Sequence, residues 1–142
     1  MIRQLLVGGV VSAVTISMHA LVMMILIRVA QYASERSKAQ ASQHLVLVMV
    51  PTVLVLMMTH TLEVFVWAFA YWLVDAAPEG ADRVYFAFVN FATLGYGDVV
   101  PVRRWNLLGP IAAMNGALLF GWSTAVIFEV LRRALREAGR RD

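Results

Sequence analysis

The segment TLGYGD, residues 93–98, decides the fold, because it closes an apolar stretch that starts at Val84. A helix needs about 20 apolar residues to cross the hydrocarbon of a bilayer, and this stretch is shorter. Its two glycines, Gly95 and Gly97, would expose backbone polar groups to lipid, where these groups find no hydrogen-bond partner. The pattern therefore predicts a re-entrant segment, in which a short helix enters the membrane and a loop returns.

The composition of the remaining chain indicates an integral membrane protein. Of its 142 residues, 61% are hydrophobic and 15% are charged, and the mean hydropathy of +0.72 is above that of a soluble domain. Three further apolar stretches, residues 4–27, 44–74 and 105–128, are each long enough for one membrane-spanning helix. We therefore predict an all-α membrane protein with three transmembrane helices, a re-entrant helix and its loop.

The charged and aromatic residues predict how the chain lies in the membrane. Basic residues concentrate at the helix ends that the three spans share on one side, and such ends stay in the cytoplasm. We expect a multi-pass protein of the cell (inner) membrane, with its N-terminus outside, its C-terminus cytoplasmic, and no role of the basic tail in nucleic-acid binding. Trp67, Tyr71 and Trp72 are expected to anchor the outer end of the second helix at the interface. The basic residues are Arg28, Arg36, Lys38, Arg132, Arg133, Arg136, Arg140 and Arg141.

The re-entrant loop has the composition of an ion site built from backbone. A potassium ion leaves water only where oxygens replace its hydration shell, and a ring of carbonyls does this without full charges. The carbonyls point one way only at backbone angles that residues with a Cβ avoid, which explains Gly95 and Gly97. Thr93 adds its hydroxyl as the innermost ligand, while Leu94 and Tyr96 are expected to point away and pack against the short helix. One chain supplies one arc, so several identical subunits are needed to close the ring.

This loop resembles the selectivity filter of the potassium channel family, whose pattern is Thr-Val-Gly-Tyr-Gly-Asp. The chain matches five of the six positions and has Leu94 in place of the valine. The resemblance implies a homotetramer, in which each chain is joined by three identical subunits in the lipid bilayer. It implies passive conduction of K⁺, with no catalytic residue, no cofactor and no metal besides the permeant ion. Asp98 is expected at the outer mouth of the filter.

The resemblance extends to the third transmembrane helix. The run from Gly116 to Gly121, followed by Thr124, is similar to the family's glycine-hinged, pore-lining segment. It implies that Gly116 is the gating hinge and that Phe120 and Thr124 face the cavity below the filter. Close helix packing is an equally good explanation of Gly116 and Gly121. An additional first helix is similar to that of a group of small bacterial channel proteins.

These assignments divide the chain into four parts. A peripheral transmembrane helix comes first, and a polar cytoplasmic linker joins it to the pore domain. A short cytoplasmic tail follows the pore domain. The predicted boundaries are 1–30 for the first helix, 31–43 for the linker, 44–132 for the pore domain and 133–142 for the tail. Within the pore domain they are 44–74 for the outer helix, 83–92 for the pore helix, 93–98 for the filter and 105–132 for the inner helix.

Departures from the family pattern surround the filter. Asn90 and Ala92 stand where many members have threonines that brace the filter, so selection between ions is expected to be less sharp. A non-selective cation channel on the same scaffold is therefore an alternative, separated by reversal potentials. The acid that partners the filter aspartate in some members is also missing. Tyr85 or Tyr96 could supply a hydroxyl to Asp98 instead.

Ionisable residues inside the predicted spans form a second candidate site. Glu63 follows His60 by three residues, so the two share one face of the second helix, and such residues are costly in a membrane. They could brace the pore helix or sense pH, and we favour bracing; their spacing does not match a zinc protease helix. Together with His19 they suggest a less favoured alternative, a proton-coupled membrane transporter or an enzyme.

Overall fold

The computed structural model describes residues 1–36 and 41–138 of the chain. These residues form helices joined by short loops and contain no strand, so the predicted all-α class is confirmed. Three of the helices are long and apolar enough to cross a membrane, as predicted. The helices are α1 (Ile2–Arg36), α2 (Ala41–Leu73), α3 (Arg83–Phe91) and α4 (Leu108–Ala138), with a 3₁₀ helix at Arg103–Trp105.

The helices that flank the predicted linker extend into it. α1 continues to Arg36 and α2 begins at Ala41, whereas the sequence pattern placed a linker at residues 31–43. Adding residues to an existing helix costs little, and glutamine, glutamate, arginine and alanine favour the helix, so polar composition alone does not end it. The basic residues Lys38, Arg140 and Arg141 lie outside the described residues.

The short helix α3 begins and ends close to its predicted bounds. Asp82 is its N-cap, and the carboxylate accepts hydrogen bonds from the backbone N–H groups of Val84 at 2.9 Å and Tyr85 at 3.1 Å. These two N–H groups have no partner inside the helix, so the cap satisfies them and specifies where the helix starts. The buried residues of α3 are Phe86, Ala87, Val89 and Phe91.

The start of α4 lies at Leu108, three residues later than predicted, because a separate 3₁₀ helix occupies Arg103–Trp105. Pro110 falls in the first turn of α4, where the missing N–H of proline leaves no hydrogen bond unmade. The Oε1 atom of Gln4 in α1 accepts a hydrogen bond from the N–H of Leu107 at 2.7 Å. The first helix therefore supplies a cap for the approach to α4.

Residues 1–18 and 60–120 form one compact unit. Its core joins α2, α3 and the first half of α4 through Trp67, Tyr71, Phe86 and Leu108, and the rings of Tyr71 and Phe86 lie 4.9 Å apart. Trp67 and Tyr71 are fully buried, so they are not the interface anchors that the sequence pattern suggested. Of the three aromatic residues, Trp72 alone is exposed, because it lies on the opposite side of α2 from this core.

The second compact unit contains the described residues of 19–59 and 121–138. Its core consists of Met23 and Leu26 from α1, Leu56 from α2, and Val126 and Val130 from α4. His19 is buried at the edge of this unit, with its Nε2 atom 3.4 Å from the hydroxyl of Ser123 and its ring 5.3 Å from that of Trp122.

Candidate ion-permeation site

The loop that follows α3 is held by the carboxyl end of that helix. The N–H of Thr93 donates to the carbonyl of Asn90 at 3.0 Å. The N–H groups of Leu94 and Gly95 both donate to the carbonyl of Val89, at 2.9 and 3.3 Å. These bonds use carbonyls that the end of a helix leaves without internal partners. They turn the N–H groups at the start of the loop toward α3.

The sign of the backbone angle φ alternates from residue to residue along this loop. The φ angles of Thr93, Gly95 and Gly97 are +60°, +57° and +79°, whereas Leu94 and Tyr96 between them have negative φ. A chain that alternates in this way turns its N–H groups to one side and its carbonyls to the other. A β-branched residue at positive φ is a genuine outlier and costs on the order of 1–3 kcal/mol. The strain at Thr93 therefore accompanies a row of carbonyls on one side of the loop.

The two filter glycines are needed for their backbone angles and not for space. A Cβ atom placed on Gly95 or Gly97 would meet no atom within 4 Å in the chain. Their positive φ is nevertheless a region that residues with a Cβ rarely adopt. Gly95 and Gly97 thus have the backbone conformation that the sequence pattern predicted for them.

Leu94 and Tyr96 are 52% and 66% exposed in the isolated chain. The N–H groups of Leu94 and Gly95 hold the loop to the end of α3, and not along its side. The packing of these two side chains against the short helix in an assembled ring therefore stays a prediction.

Asp98, at the end of the loop, takes its hydroxyl partner from α3. The Tyr85 hydroxyl donates to Oδ2 of Asp98 at 2.6 Å, which decides between the two tyrosines considered above. This hydrogen bond holds the pKa of Asp98 below its usual value, because it stabilises the carboxylate. The same bond raises the pKa of Tyr85, because loss of its proton would break the bond. The pair thus joins α3 to the far end of the filter loop.

Asn90 is turned away from the filter loop. Its Nδ2 atom donates to the carbonyl of Phe86 in its own helix at 2.9 Å. Its Oδ1 atom lies against the start of α4, where a Cβ on Gly109 would come within 3.0 Å of it. Asn90 therefore connects α3 to α4 and does not take the place of a bracing threonine.

Gly116 allows α4 to pack directly on the end of α3. A Cβ atom at this position would lie 2.0 Å from the carbonyl oxygen of Phe91 and 2.9 Å from its carbonyl carbon. Neither backbone atom can move without shifting a helix, so only glycine fits. Gly121 differs, because a Cβ there would meet nothing within 4 Å. Close packing thus explains Gly116 within the chain, while its role as a hinge remains a prediction.

Phe120, His60 and Glu63 form one cluster beside Phe91 at the end of α3. The Phe120 ring packs edge-on against the rings of His60, at 4.7 Å, and Phe91, at 5.6 Å, so it is partly buried and not wholly turned to a cavity. His60 Nδ1 lies 2.8 Å from Oε2 of Glu63, whose side chain is fully buried. His60 and Glu63, which were predicted to share one face of the second helix, are thus in direct contact. Thr124, further along α4, is exposed.

A polar junction that sequence reasoning missed lies beside Gly116. The Oδ1 atom of Asn115 accepts hydrogen bonds from the Thr15 hydroxyl at 2.8 Å and from the Trp67 indole N–H at 3.0 Å. All three side chains are buried, and they come from α4, α1 and α2. An amide inside an apolar helix next to a glycine is a signal that would have identified this junction.

A family model described as "Ion channel" matches residues 45–133, more than half of the chain. Searches of curated proteins and of solved structures found no match. The three apolar helices and the re-entrant helix with its loop define a multi-pass membrane protein of the channel class. The chain belongs to the ion channel family with two transmembrane helices and a pore loop, the family of potassium channels, and carries α1 as an additional helix. The family predicted from the filter motif is therefore confirmed.

Proposed function

We propose that four copies of this chain form a potassium-selective channel, with K⁺ as the permeant ion and no cofactor. The backbone carbonyls of Thr93, Leu94, Gly95, Tyr96 and Gly97 bind the ion in this proposal. The alternation of φ along these residues is the observation that carries it, because it aligns successive carbonyls on one side. Such a row replaces the hydration shell of K⁺ without placing a full charge in the pore.

Side chains that are exposed in a single chain support an assembly of several chains. Leu94 and Tyr96 are both more than half exposed, although they belong to the loop that would form the ring. A single loop also supplies only one side of an ion's coordination shell. Rotational symmetry repeats the same loop around an axis and covers the same side chains on each copy. Four copies are what the potassium channel family implies.

Replacing Gly97 by alanine tests the carbonyl row. The φ of +79° at Gly97 is unfavourable for alanine, so Gly97→Ala should abolish K⁺-selective flux in liposomes. Gly80→Ala is a matched control, because Gly80 has a φ of +78°, equally free space for a Cβ, and a position in the loop before α3. Barium should block the wild-type flux, and the mass of the solubilised complex should equal four chains. Selective flux through Gly97→Ala that equals that of Gly80→Ala would contradict the proposal.

A non-selective cation channel is the second candidate, and the position of Asn90 favours it. Its Nδ2 atom donates within its own helix and its Oδ1 atom lies against α4, so neither of these contacts is with the filter loop. A filter that is free to widen distinguishes Na⁺ from K⁺ less well, because its carbonyls can then follow the smaller ion. Reversal potentials in mixed Na⁺ and K⁺ solutions separate the two candidates. Equal permeability to both ions would reject the potassium-selective channel.

A further inference from the structure

A basic cavity opens among the helix ends of the second compact unit. Its volume is about 530 Å³, and it is lined by parts of α1, α2 and α4. Arg132, Arg133 and Arg136 reach it from the last turns of α4, and Glu129 is the one acid among the described residues that line it. Gln31 of α1 adds an amide to the same wall. The cavity is therefore polar and carries an excess of positive charge.

The Glu129 carboxylate in this cavity is already engaged. Oε2 of Glu129 accepts hydrogen bonds from Arg132 at 2.5 and 3.0 Å, and its Oε1 accepts one from Arg133 at 2.5 Å. One carboxylate neutralises one positive charge, so three guanidinium groups keep a net excess. Guanidinium groups bind phosphate oxygens in pairs and are less strongly hydrated than ammonium groups. The cavity thus has the chemistry of an anion site that prefers phosphate.

An apolar groove adjoins this cavity. It has a volume of about 520 Å³ and runs between α1 and α2, from Val22 to Ala30 on α1. Thr52 is the one polar residue among those that line it, and its hydroxyl is turned back to the carbonyl of Val48 at 2.8 Å. The stretch from Val22 to Ala30 is about 12 Å long at the rise of a helix. Its walls therefore suit a hydrocarbon chain.

The cavity and the groove are parts of one surface, since Ala30 and Val48 line both. We propose that this surface binds one anionic phospholipid, with the phosphate among the arginines and an acyl chain along the groove. A free phosphate compound would use the arginines but leave the groove empty. A zwitterionic lipid would place its phosphate among the arginines, but its ammonium group would bring a further positive charge to a basic cavity. The joint presence of both features selects an anionic lipid. Basic pockets between membrane helices near the headgroup level are suited to such lipids.

Native mass spectrometry of the solubilised full-length protein tests this site with phosphatidylglycerol and phosphatidylcholine of identical acyl chains. The wild type should bind phosphatidylglycerol more tightly. Arg133→Gln combined with Arg136→Gln should weaken its binding roughly 10- to 30-fold, because each arginine contributes about 1 kcal/mol to an anionic surface. The change leaves the contacts between Arg132 and Glu129 in place. Arg103→Gln combined with Arg104→Gln removes equal charge from the exposed 3₁₀ helix and should leave lipid binding unchanged.

A second variant tests the groove independently of the arginines. Ala30→Phe fills the junction of cavity and groove, so it should reduce the binding of phosphatidylglycerol at least tenfold. Glycerol phosphate, which has the charge without the acyl chains, should not compete with the lipid. Competition by glycerol phosphate would show that the site binds free phosphate compounds and does not require a lipid. Equal affinity for both lipids, or equal binding by the two arginine double variants, would overturn the proposal.

Discussion

At the scale of single residues, the contact between Tyr85 and Asp98 connects α3 to the far end of the loop at residues 93–98. Because the pKa of Asp98 is lowered, its contribution to stability is present above the pKa of the unfolded chain. That contribution is lost as the pH falls through the lower, folded-state pKa. The charge of Asp98, and the bond that depends on it, should thus persist into mildly acidic solution.

Tyr85→Phe should make the channel more sensitive to acid. Without the hydroxyl, the pKa of Asp98 should rise toward its usual value, so the midpoint for loss of K⁺ flux should shift to higher pH. Flux titrated between about pH 3 and pH 6 covers the usual range of an aspartate. Tyr32→Phe, in α1, removes a hydroxyl elsewhere and should keep the wild-type midpoint. An unchanged midpoint in Tyr85→Phe would show that this hydrogen bond does not support the conducting state.

At the scale of elements, the pore helix α3 is specified at both of its ends. Asp82 caps its first turn, while its last carbonyls hold the filter loop and contact Gly116 of α4. The close approach of α4 to Phe91 leaves no room for a side chain, so the position of the two helices depends on one glycine. A displacement of α4 would therefore move the carbonyls to which the filter loop is bonded.

Gly116→Ala should destabilise the protein and reduce conduction. Its Cβ would lie 2.0 Å from the carbonyl oxygen of Phe91, and overpacking of this kind costs about 1–3 kcal/mol or more. Gly121→Ala in the same helix has free space and should gain up to about 1 kcal/mol from the better helix propensity of alanine. Thermal unfolding in detergent and K⁺ flux measure both effects. Wild-type stability with altered gating in Gly116→Ala would favour the hinge over close packing.

At the scale of the whole molecule, the first half of α1 packs closely within its own chain. This half belongs to the same compact unit as the pore helix and the filter loop. Gln4 bonds to Leu107, and a Cβ on Gly8 would come within 2.8 Å of Ile111. Thr15 completes this contact through Asn115. The additional helix is thus packed against the same half of α4 that contacts the end of α3.

Thr15→Val should weaken this packing, because it removes one of the two hydrogen bonds that Asn115 Oδ1 accepts and keeps the shape of the side chain. Hydrogen bonds between membrane helices contribute about 0.6 kcal/mol on average, so a small loss of thermal stability is expected. Thr59→Val is the control, because the hydroxyl of this buried residue donates within its own helix. A double-mutant cycle with Asn115→Ala isolates the contact. Zero coupling between Thr15 and Asn115 would contradict it.

The sequence alone determined the helical class, the three spans, the short helix and the channel family. Hydrophobic length and the rare pattern of filter glycines are local properties, so they can be read without knowing which residues meet in space. The family match over residues 45–133 agrees with that prediction. Positive φ angles within the loop were likewise implied by Gly95 and Gly97, because few other residues adopt positive φ.

Only the tertiary structure decided which residues meet. The choice of Tyr85 as the partner of Asp98, the junction at Asn115 and the contact of Gly116 with Phe91 all depend on packing between distant segments. Sequence periodicity gives the face of a helix but not the neighbour of that face, since one apolar surface can pack in several ways. For this reason the sequence offered two tyrosines as partners of Asp98, and the fold decided that Tyr85 is the partner.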